Sequence, residues 1–330
     1  MIISRTPFRV SFFGGGTDYP IWYNDNKGRV ISSAINKYCF ITLKELPPFF
    51  DYKHRLRYFK REEVSSIEEI QHPSIKECMR HLNVENGIDL VHHADLPAQS
   101  GLGSSSTFTV GLLHALYAMI YRMPTKYQLA INAIEIEQDK IGECVGSQDQ
   151  VAAAFGGFNR IEFGGPREIE VTPLIIEPSR QKTLQDHFVL FFTGLSRNAS
   201  DIAKKQIEQT SKKSIELNEI YELCITAEEI LINAKIDVRE WGGLLNEQWK
   251  IKRTLTNSIS NDRLDSIYSK GIKAGATGGK LLGAGGGGFM LFFISPEKKS
   301  HLISELKDLL HVPFDFDFLG SQIIYHGYNS

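Results

Sequence analysis

Cysteine is scarce in this chain. Cys39, Cys78, Cys144 and Cys224 are the four among 330 residues, and no two stand in a C-x-x-C spacing. That argues against a disulfide scaffold and a zinc ribbon, and it is the usage of a reduced compartment. An excess of charge of either sign is also missing: 37 Lys and Arg face 39 Asp and Glu, a net −2. No electrostatic footprint for nucleic acid or an anionic lipid surface follows from that balance. Long hydrophobic runs are absent too. The longest, Phe289 to Ile294, is far too short to span a bilayer. The first residues read as a strand, not as the apolar core of a secretory leader. Internal repeats and low-complexity tracts are not found. The expectation is a cytoplasmic protein without a nucleic-acid or membrane partner, working as a monomer or homodimer.

What is present is an ordinary globular composition, 42% apolar and 23% charged, on a chain long enough for two domains. Residues 2–13 and 29–46 read as strands rich in Ile, Val and aromatics. Residues 51–59 alternate, with Lys53, Arg55 and Arg57 on one face, a solvated edge or an attractor for a phosphate. Ser65 and Ser66 are placed to cap a helix reaching about His81. A strand, Ile88 to His93, precedes helices at 108–121, 125–141 and from Gly146 to Phe155. Strands near 157–163 and 168–174 follow. Pro173, Pro178 and the polar stretch to Gln185 suggest a boundary. A strand at 187–193, three or four helices from Asn198 to Lys273, a glycine-rich loop from Gly275 to Gly288, a strand at 289–294, a helix at 297–310 and a last strand at 314–326 complete the chain. Mixed strands and helices in two halves give an α+β fold with a cleft, divided into residues 1–185 and 186–330.

Chemistry concentrates in glycine-rich loops. Leu96 to Thr107 places Gly101 and Gly103 between a strand and a helix, followed by Ser104, Ser105, Ser106 and Thr107. Glycines allow a tight turn and close approach of a ligand, and a helix N-terminus offers free N–H groups and a positive dipole end. That is a phosphate cradle. It does not fit the common patterns. Gly279-Lys280 is followed by Leu281, which breaks the P-loop. Gly283, Gly285 and Gly288 satisfy G-x-G-x-x-G but lead into a strand instead of opening a helix. Protein-kinase signatures are missing.

Pro97 to Thr107, with Gly101-Leu102-Gly103-Ser104-Ser105-Ser106 inside it, resembles the central motif of the GHMP kinases, which include galactokinase, homoserine kinase and mevalonate kinase. Thr6 to Tyr19, with Gly14-Gly15-Gly16-Thr17-Asp18-Tyr19, resembles their N-terminal motif in its sugar-kinase form. Lys280 to Gly288 resembles their C-terminal motif. The three occur in family order and span nearly the whole chain. Phe192-Thr193-Gly194-Leu195-Ser196-Arg197 is similar to a run of the family's fucose kinases. The resemblance implies a two-domain fold, an N-terminal ribosomal-protein-S5-like domain and a C-terminal ferredoxin-like α/β sandwich, with the active site in the cleft. It implies ATP and Mg²⁺ as cofactors and a sugar or sugar phosphate as acceptor, phosphorylated at the anomeric hydroxyl. A kinase of another sugar such as fucose, or a sugar-sensing protein without catalysis on the same fold, is the alternative.

The residues that would carry this are named by the motifs. Pro97, Gly101, Leu102, Gly103, Ser104, Ser105, Ser106 and Thr107 would hold the nucleotide. Ser105 and Glu137 would hold Mg²⁺, which takes one or two protein oxygens beside phosphates and waters. Asp149, twelve residues after Glu137, is the expected catalytic carboxylate, and Arg9 its partner and a stabiliser of charge on the transferred group. Asp18, with Gly15, Gly16 and Thr17, would accept the sugar, joined by Arg197 and Gly285. Gly-Gly-Gly at 14–16 stands where galactokinases have Gly-Glu-His, which speaks against galactose. Cys144 and His92-His93 read as packing residues.

Overall fold

The computed structural model describes residues 1–195 and 199–327. In chain order the strands are β1 (Ile2–Phe13), β2 (Gly28–Glu45), β3 (His54–Arg57), β4 (Arg61–Val64), β5 (Ile88–Ala94), β6 (Phe158–Gly164), β7 (Glu168–Pro173), β8 (Phe188–Phe192), β9 (Gly278–Leu281), β10 (Phe289–Phe293), β11 (Leu310–His311), β12 (Phe316–Asp317) and β13 (Gln322–His326). The α-helices are α1 (Pro20–Tyr23), α2 (Pro73–His81), α3 (Ser104–Met119), α4 (Lys126–Glu135), α5 (Gln148–Phe155), α6 (Pro178–His187), α7 (Ala199–Gln209), α8 (Ser214–Ile232), α9 (Trp241–Leu255), α10 (Asp262–Lys273) and α11 (Lys299–Glu305).

These strands form two sheets among the described residues, one of nine strands and one of four. The larger is organised by the 18-residue β2. The C-terminal half of β2 pairs with β5, its N-terminal half with β6, and its other edge with β1 throughout. The chain's last strands return to this sheet, β12 on β2 and β13 on β1. The smaller sheet has the order β11-β8-β10-β9.

Helix α3 lies against β1 and β2. Every residue from Ser106 to Tyr117 is buried, as expected of a helix that is apolar all round. Close approach to β1 requires Gly111: a Cβ there would lie 2.8 Å from Thr6 Oγ1, and Ser4 Oγ donates to the Gly111 carbonyl at 2.8 Å. The two sheets meet at Phe12. Its ring stacks on Phe158 at 5.4 Å and Phe188 at 5.0 Å, and Trp241 of α9 lies 5.3 Å away. Each such pair is worth about 0.5–1.5 kcal/mol beyond its buried area.

Several local expectations are corrected. The alternating stretch 51–59 is not one strand; β3 and β4 form a short hairpin-like pair across 54–64. The helix after Ser66 begins only at Pro73, following a single 3-10 turn at 67–69, because proline fits the first helical turn and not the interior. The stretch from Pro178, where a boundary is expected, is helix α6 with that proline at its first turn. The loop from Gly275 is interrupted by β9, whose backbone pairs with β10.

Candidate functional site

The centre of the site is an ion pair between β1 and α5. Arg9 follows a register shift in β1, between Pro7 and Arg9, the kind of bulge that re-aims a side chain. Its Nε donates to Asp149 Oδ1 at 2.8 Å and its Nη2 to Oδ2 at 2.7 Å. The third nitrogen, Nη1, donates to the Gly101 carbonyl at 2.8 Å. One guanidinium thus fixes both the carboxylate and the glycine turn, using the fork geometry that lysine lacks. Arg9's side chain is 4% exposed and that of Asp149 is 25% exposed, so the carboxylate keeps a face toward the cavity.

The cradle is built as its residues require. Gly101 and Gly103 adopt φ of +81° and +80°, open to glycine at little cost. Gly103 is the N-cap of α3; no side chain caps it and no acidic residue occupies its first turn. The orphan N–H groups and dipole of that turn remain for an anion. Ser104 Oγ instead accepts from the Gln99 amide at 3.1 Å, which ties the loop to the helix start. The glycine-rich C-terminal loop backs this turn. A Cβ on Gly288 would lie 2.2 Å from the Ser100 carbonyl oxygen.

A cavity of about 450 Å³ joins these parts. Arg9, Gly15, Gly16, Asp18, Gly101, Gly103, Ser104, Ser105, Ser106 and Asp149 line it; Pro97, Leu102, Thr17, Thr107, Glu137 and Gly285 do not. Leu102 is fully buried among apolar residues. Thr17 Oγ1 is spent on backbone, donating to the Gly14 and Arg29 carbonyls at 2.9 and 3.0 Å. Gly285 packs on Ile259, whose Cα a Cβ would approach to 2.7 Å. Arg197 lies outside the described residues. Arg55 and Arg57 of β3 both bond the buried Asp89 of the neighbouring β5, a structural pairing.

Asp18 is 2% exposed and lies under the Gly146 backbone, where a Cβ would meet its Oδ2 at 1.9 Å. Gly16 N donates to Oδ1 at 3.0 Å. Burial pushes this carboxyl up, against hydrogen bonds from Gly16 and Gln148. Glu137 sits on a π-turn, 136–140, that ends α4, a deformation common at functional sites. Ser106 Oγ donates to its Oε2 at 2.7 Å, and Gln150 donates to the same oxygen. Among the described residues its Oε1 accepts no hydrogen bond. Burial pushes Glu137 up to about 7, while the Thr109 hydroxyl favours the charged form. A fully buried carboxylate oxygen without a donor fits a cation that completes it. No cluster of three or more His, Cys, Asp or Glu occurs among the described residues, so a metal here would draw its remaining ligands from phosphates and water, as Mg²⁺ does.

The cavity contains Lys280, the first residue of the C-terminal motif, and groups that no motif names. Lys252 of α9 and Lys280 of β9 line it, both buried. Burial pushes Lys252 down to about 8 and Lys280 well below the usual lysine range. Lys280 is tied to the end of β1, donating to the Ser11 and Phe12 carbonyls at 2.9 and 2.7 Å. At the other end stand Tyr58, His72, His92 and Phe108. His72 stacks on Phe108 at 4.8 Å and His92 meets the same ring edge-on at 5.0 Å. Cys144 lines the cavity as well. His92 and Cys144 therefore stand in the cavity wall, His92 packed edge-on against Phe108.

A helix N-terminus behind a glycine turn, a carboxylate locked to an arginine and the buried Asp18 in the same cavity make an arrangement suited to phosphoryl transfer of the small-molecule kinase type. The comparisons agree. Residues 71–157 match the GHMP kinases N terminal domain and residues 227–311 the GHMP kinases C terminal domain. A D-glycero-alpha-D-manno-heptose 7-phosphate kinase of Campylobacter jejuni is 33% identical, with 96% of both chains covered. The crystal structure of a D-glycero-D-manno-heptose 1-phosphate kinase from Bacteriodes thetaiotaomicron superposes with a TM-score of 0.82 at 25% identity over 100% of both chains. That of a putative sugar kinase from Campylobacter jejuni gives 0.77 at 31% identity over 98% of both. The chain belongs to the GHMP kinase family, with its two-domain α+β fold. It is an ATP-dependent phosphotransferase with an alcohol group as acceptor.

Proposed function

We propose that this sugar kinase transfers the γ-phosphoryl group of ATP, with Mg²⁺, to the anomeric hydroxyl of D-glycero-D-manno-heptose 7-phosphate. The product is the 1,7-bisphosphate, on the way to a nucleotide-activated heptose. The observation that carries the reading is the Arg9–Asp149 pair, held at 2.7–2.8 Å beside the N-terminus of α3 and in one cavity with Asp18. The Campylobacter jejuni relative at 33% identity supports the choice of the heptose.

The α3 turn from Gly101 to Ser106 receives the phosphates on its N–H groups. Ser105 and Glu137 hold Mg²⁺, with Ser106 bonding the carboxylate. Asp149 orients the acceptor hydroxyl and takes its proton, while Arg9 faces the charge of the transferred group. The acceptor oxygen forms the new bond to phosphorus as the bond to the ADP oxygen breaks, with no phosphoenzyme. Asp18 accepts hydrogen bonds from sugar hydroxyls, with Gly15 and Gly16 leaving room for close approach. The chain divides near residue 185, and the second unit supplies α9 and the backing glycine loop. It works in the cytoplasm as a monomer or homodimer.

The test is a panel of sugars and sugar 7-phosphates assayed for ADP release, with the product position read by ³¹P NMR. The heptose 7-phosphate is expected to give the highest kcat/KM and an anomeric phosphate. A higher kcat/KM on fucose or another sugar moves the assignment to that acceptor. Ligand binding without turnover on any sugar supports a sensor on the kinase fold instead.

A further inference from the structure

Lys252 stands on the buried stripe of α9, in line with Trp241, Leu245, Gln248, Trp249 and Leu255. It is 4% exposed, yet its ammonium ends in the cavity and not in the core. Among the described residues it has one hydrogen-bond acceptor, the Gly283 carbonyl at 2.5 Å. An ammonium carries three donors, so two remain. A buried cation with unused donors is costly unless something else receives them.

The surroundings say where that receiver sits. Asp18 from the loop after β1, Arg9 from β1 and Asp149 from α5 are the charges that act on Lys252, and Lys280 of β9 lies close enough to feel it. Gly15 adjoins the ammonium: a Cβ there would lie 3.6 Å from Lys252 Nζ and 3.9 Å from Gln148 Nε2. The space a side chain at 15 would fill is open, bounded by two donors, Lys252 and Gln148, in the cavity that Asp18 also lines.

We propose that Lys252 is an acceptor-contacting residue, whose two remaining N–H donors bond oxygen atoms of the sugar beside its reacting hydroxyl, opposite Asp18. Asp18 reads hydroxyl hydrogens and Lys252 reads oxygens, so an acceptor deoxygenated there leaves the ammonium unpaired and is rejected. The inference rests on the sugar-kinase reading and adds a residue from the second half of the chain to the acceptor site. Burial holds Lys252 at about 8, so its charge is present below pH 8 and lost above it.

Steady-state kinetics of the wild type, Lys252→Met and Lys252→Arg on the best acceptor, from pH 6.5 to 9.5, is the test. In the wild type kcat/KM for the sugar is expected to fall above about pH 8 while KM for ATP stays level. Lys252→Met is expected to raise KM for the sugar about tenfold or more, leave KM for ATP within about twofold, and lose the alkaline limb. Lys252→Arg is expected to recover part of the sugar affinity and move the limb beyond the range. Sugar KM within about twofold of wild type in Lys252→Met overturns the proposal, and so does an equal rise of both KM values, which marks a support for the Gly283 loop only. If the Met variant does not fold, a wild-type kcat/KM that stays flat through pH 8 overturns it alone. Absence of turnover by the wild type on every sugar defeats the sugar-kinase reading and is distinguishable from all of these.

Discussion

Gly101 and Gly283 touch backbone to backbone: a Cβ on Gly283 would sit 2.5 Å from Gly101 Cα and 2.8 Å from its carbonyl oxygen. Gly101 in turn would drive a Cβ to 2.5 Å from the Leu282 carbonyl. Two loops separated by most of the chain therefore form one unit, and the phosphate turn takes its position from the far loop as much as from α3.

Gly283→Ala should accordingly damage nucleotide binding from outside the cradle. Gly142 is the control, because it shares the φ of +77° but has nothing within 4 Å of a Cβ. Gly142→Ala carries only the backbone strain, on the order of 1–3 kcal/mol. Gly283→Ala adds a clash with backbone that cannot swing away. We expect a larger fall in melting temperature for Gly283→Ala than for Gly142→Ala, and a raised KM for ATP only in the former. Equal effects would show that the contact does not position the turn.

Asp149→Asn removes the charge from the Arg9 pair while keeping its shape. The expected result is a loss of about a hundred- to ten-thousand-fold in kcat, the range for a general acid–base group, with ATP binding by calorimetry largely intact. Turnover near wild type would take Asp149 out of the mechanism.

Much of this site was legible because positive φ and close backbone contact select glycine. The turns at 14–16, 101–103 and 283–288 announce themselves in residue type. The rest was hidden for definite reasons. Pro178 reads as a breaker, yet proline is also a helix starter, and α6 uses it so. Gly278 and Gly279 read as loop, yet β9 needs them bare, since Cβ atoms would meet the Gly242 and Leu291 carbonyls at 1.8 and 2.4 Å. Lys252 looks like a surface lysine, but its spacing from Trp241, Leu245 and Trp249 puts it on the apolar face of α9. A lysine on such a stripe is the signal that could have found it. The serine that bonds Glu137 is Ser106, one residue from Ser105, the serine expected to share Mg²⁺ with it, because each helical step turns a side chain by about 100°.

That one-residue offset gives a separate expectation for the metal. Ser106→Ala removes a 2.7 Å hydrogen bond from Glu137 and leaves Ser105 in the cavity wall. Partners of this sort are typically worth about 10–100-fold in metal affinity. The Mg²⁺ concentration for half-maximal rate should rise about tenfold, and calorimetric binding of Mg·ADP should weaken alongside it. Unchanged values for both would mean that Gln150 alone suffices to hold the carboxylate.

The raised carboxyl of Asp18 should act on sugar binding at acid pH and on the stability of the apo protein. Its folded-state carboxyl titrates above the ordinary range because burial disfavours the charge. A carboxyl raised in the folded state contributes stability that is full below its unfolded value, about 4, and is lost as pH rises through the folded value. The unliganded protein should therefore lose melting temperature as pH rises through that window. Asp18→Asn, which still accepts from Gly16, should not share the loss and should be the more stable protein at pH 7. The same variant should raise KM for the sugar about tenfold or more, since a charged acceptor of hydrogen bonds is replaced by a neutral one. In the wild type, acidification should raise that KM before ordinary carboxylates titrate, and in Asp18→Asn this limb should vanish. A variant both less stable and unchanged in sugar KM would mean that the buried charge serves the loop at 14–16 and not the acceptor.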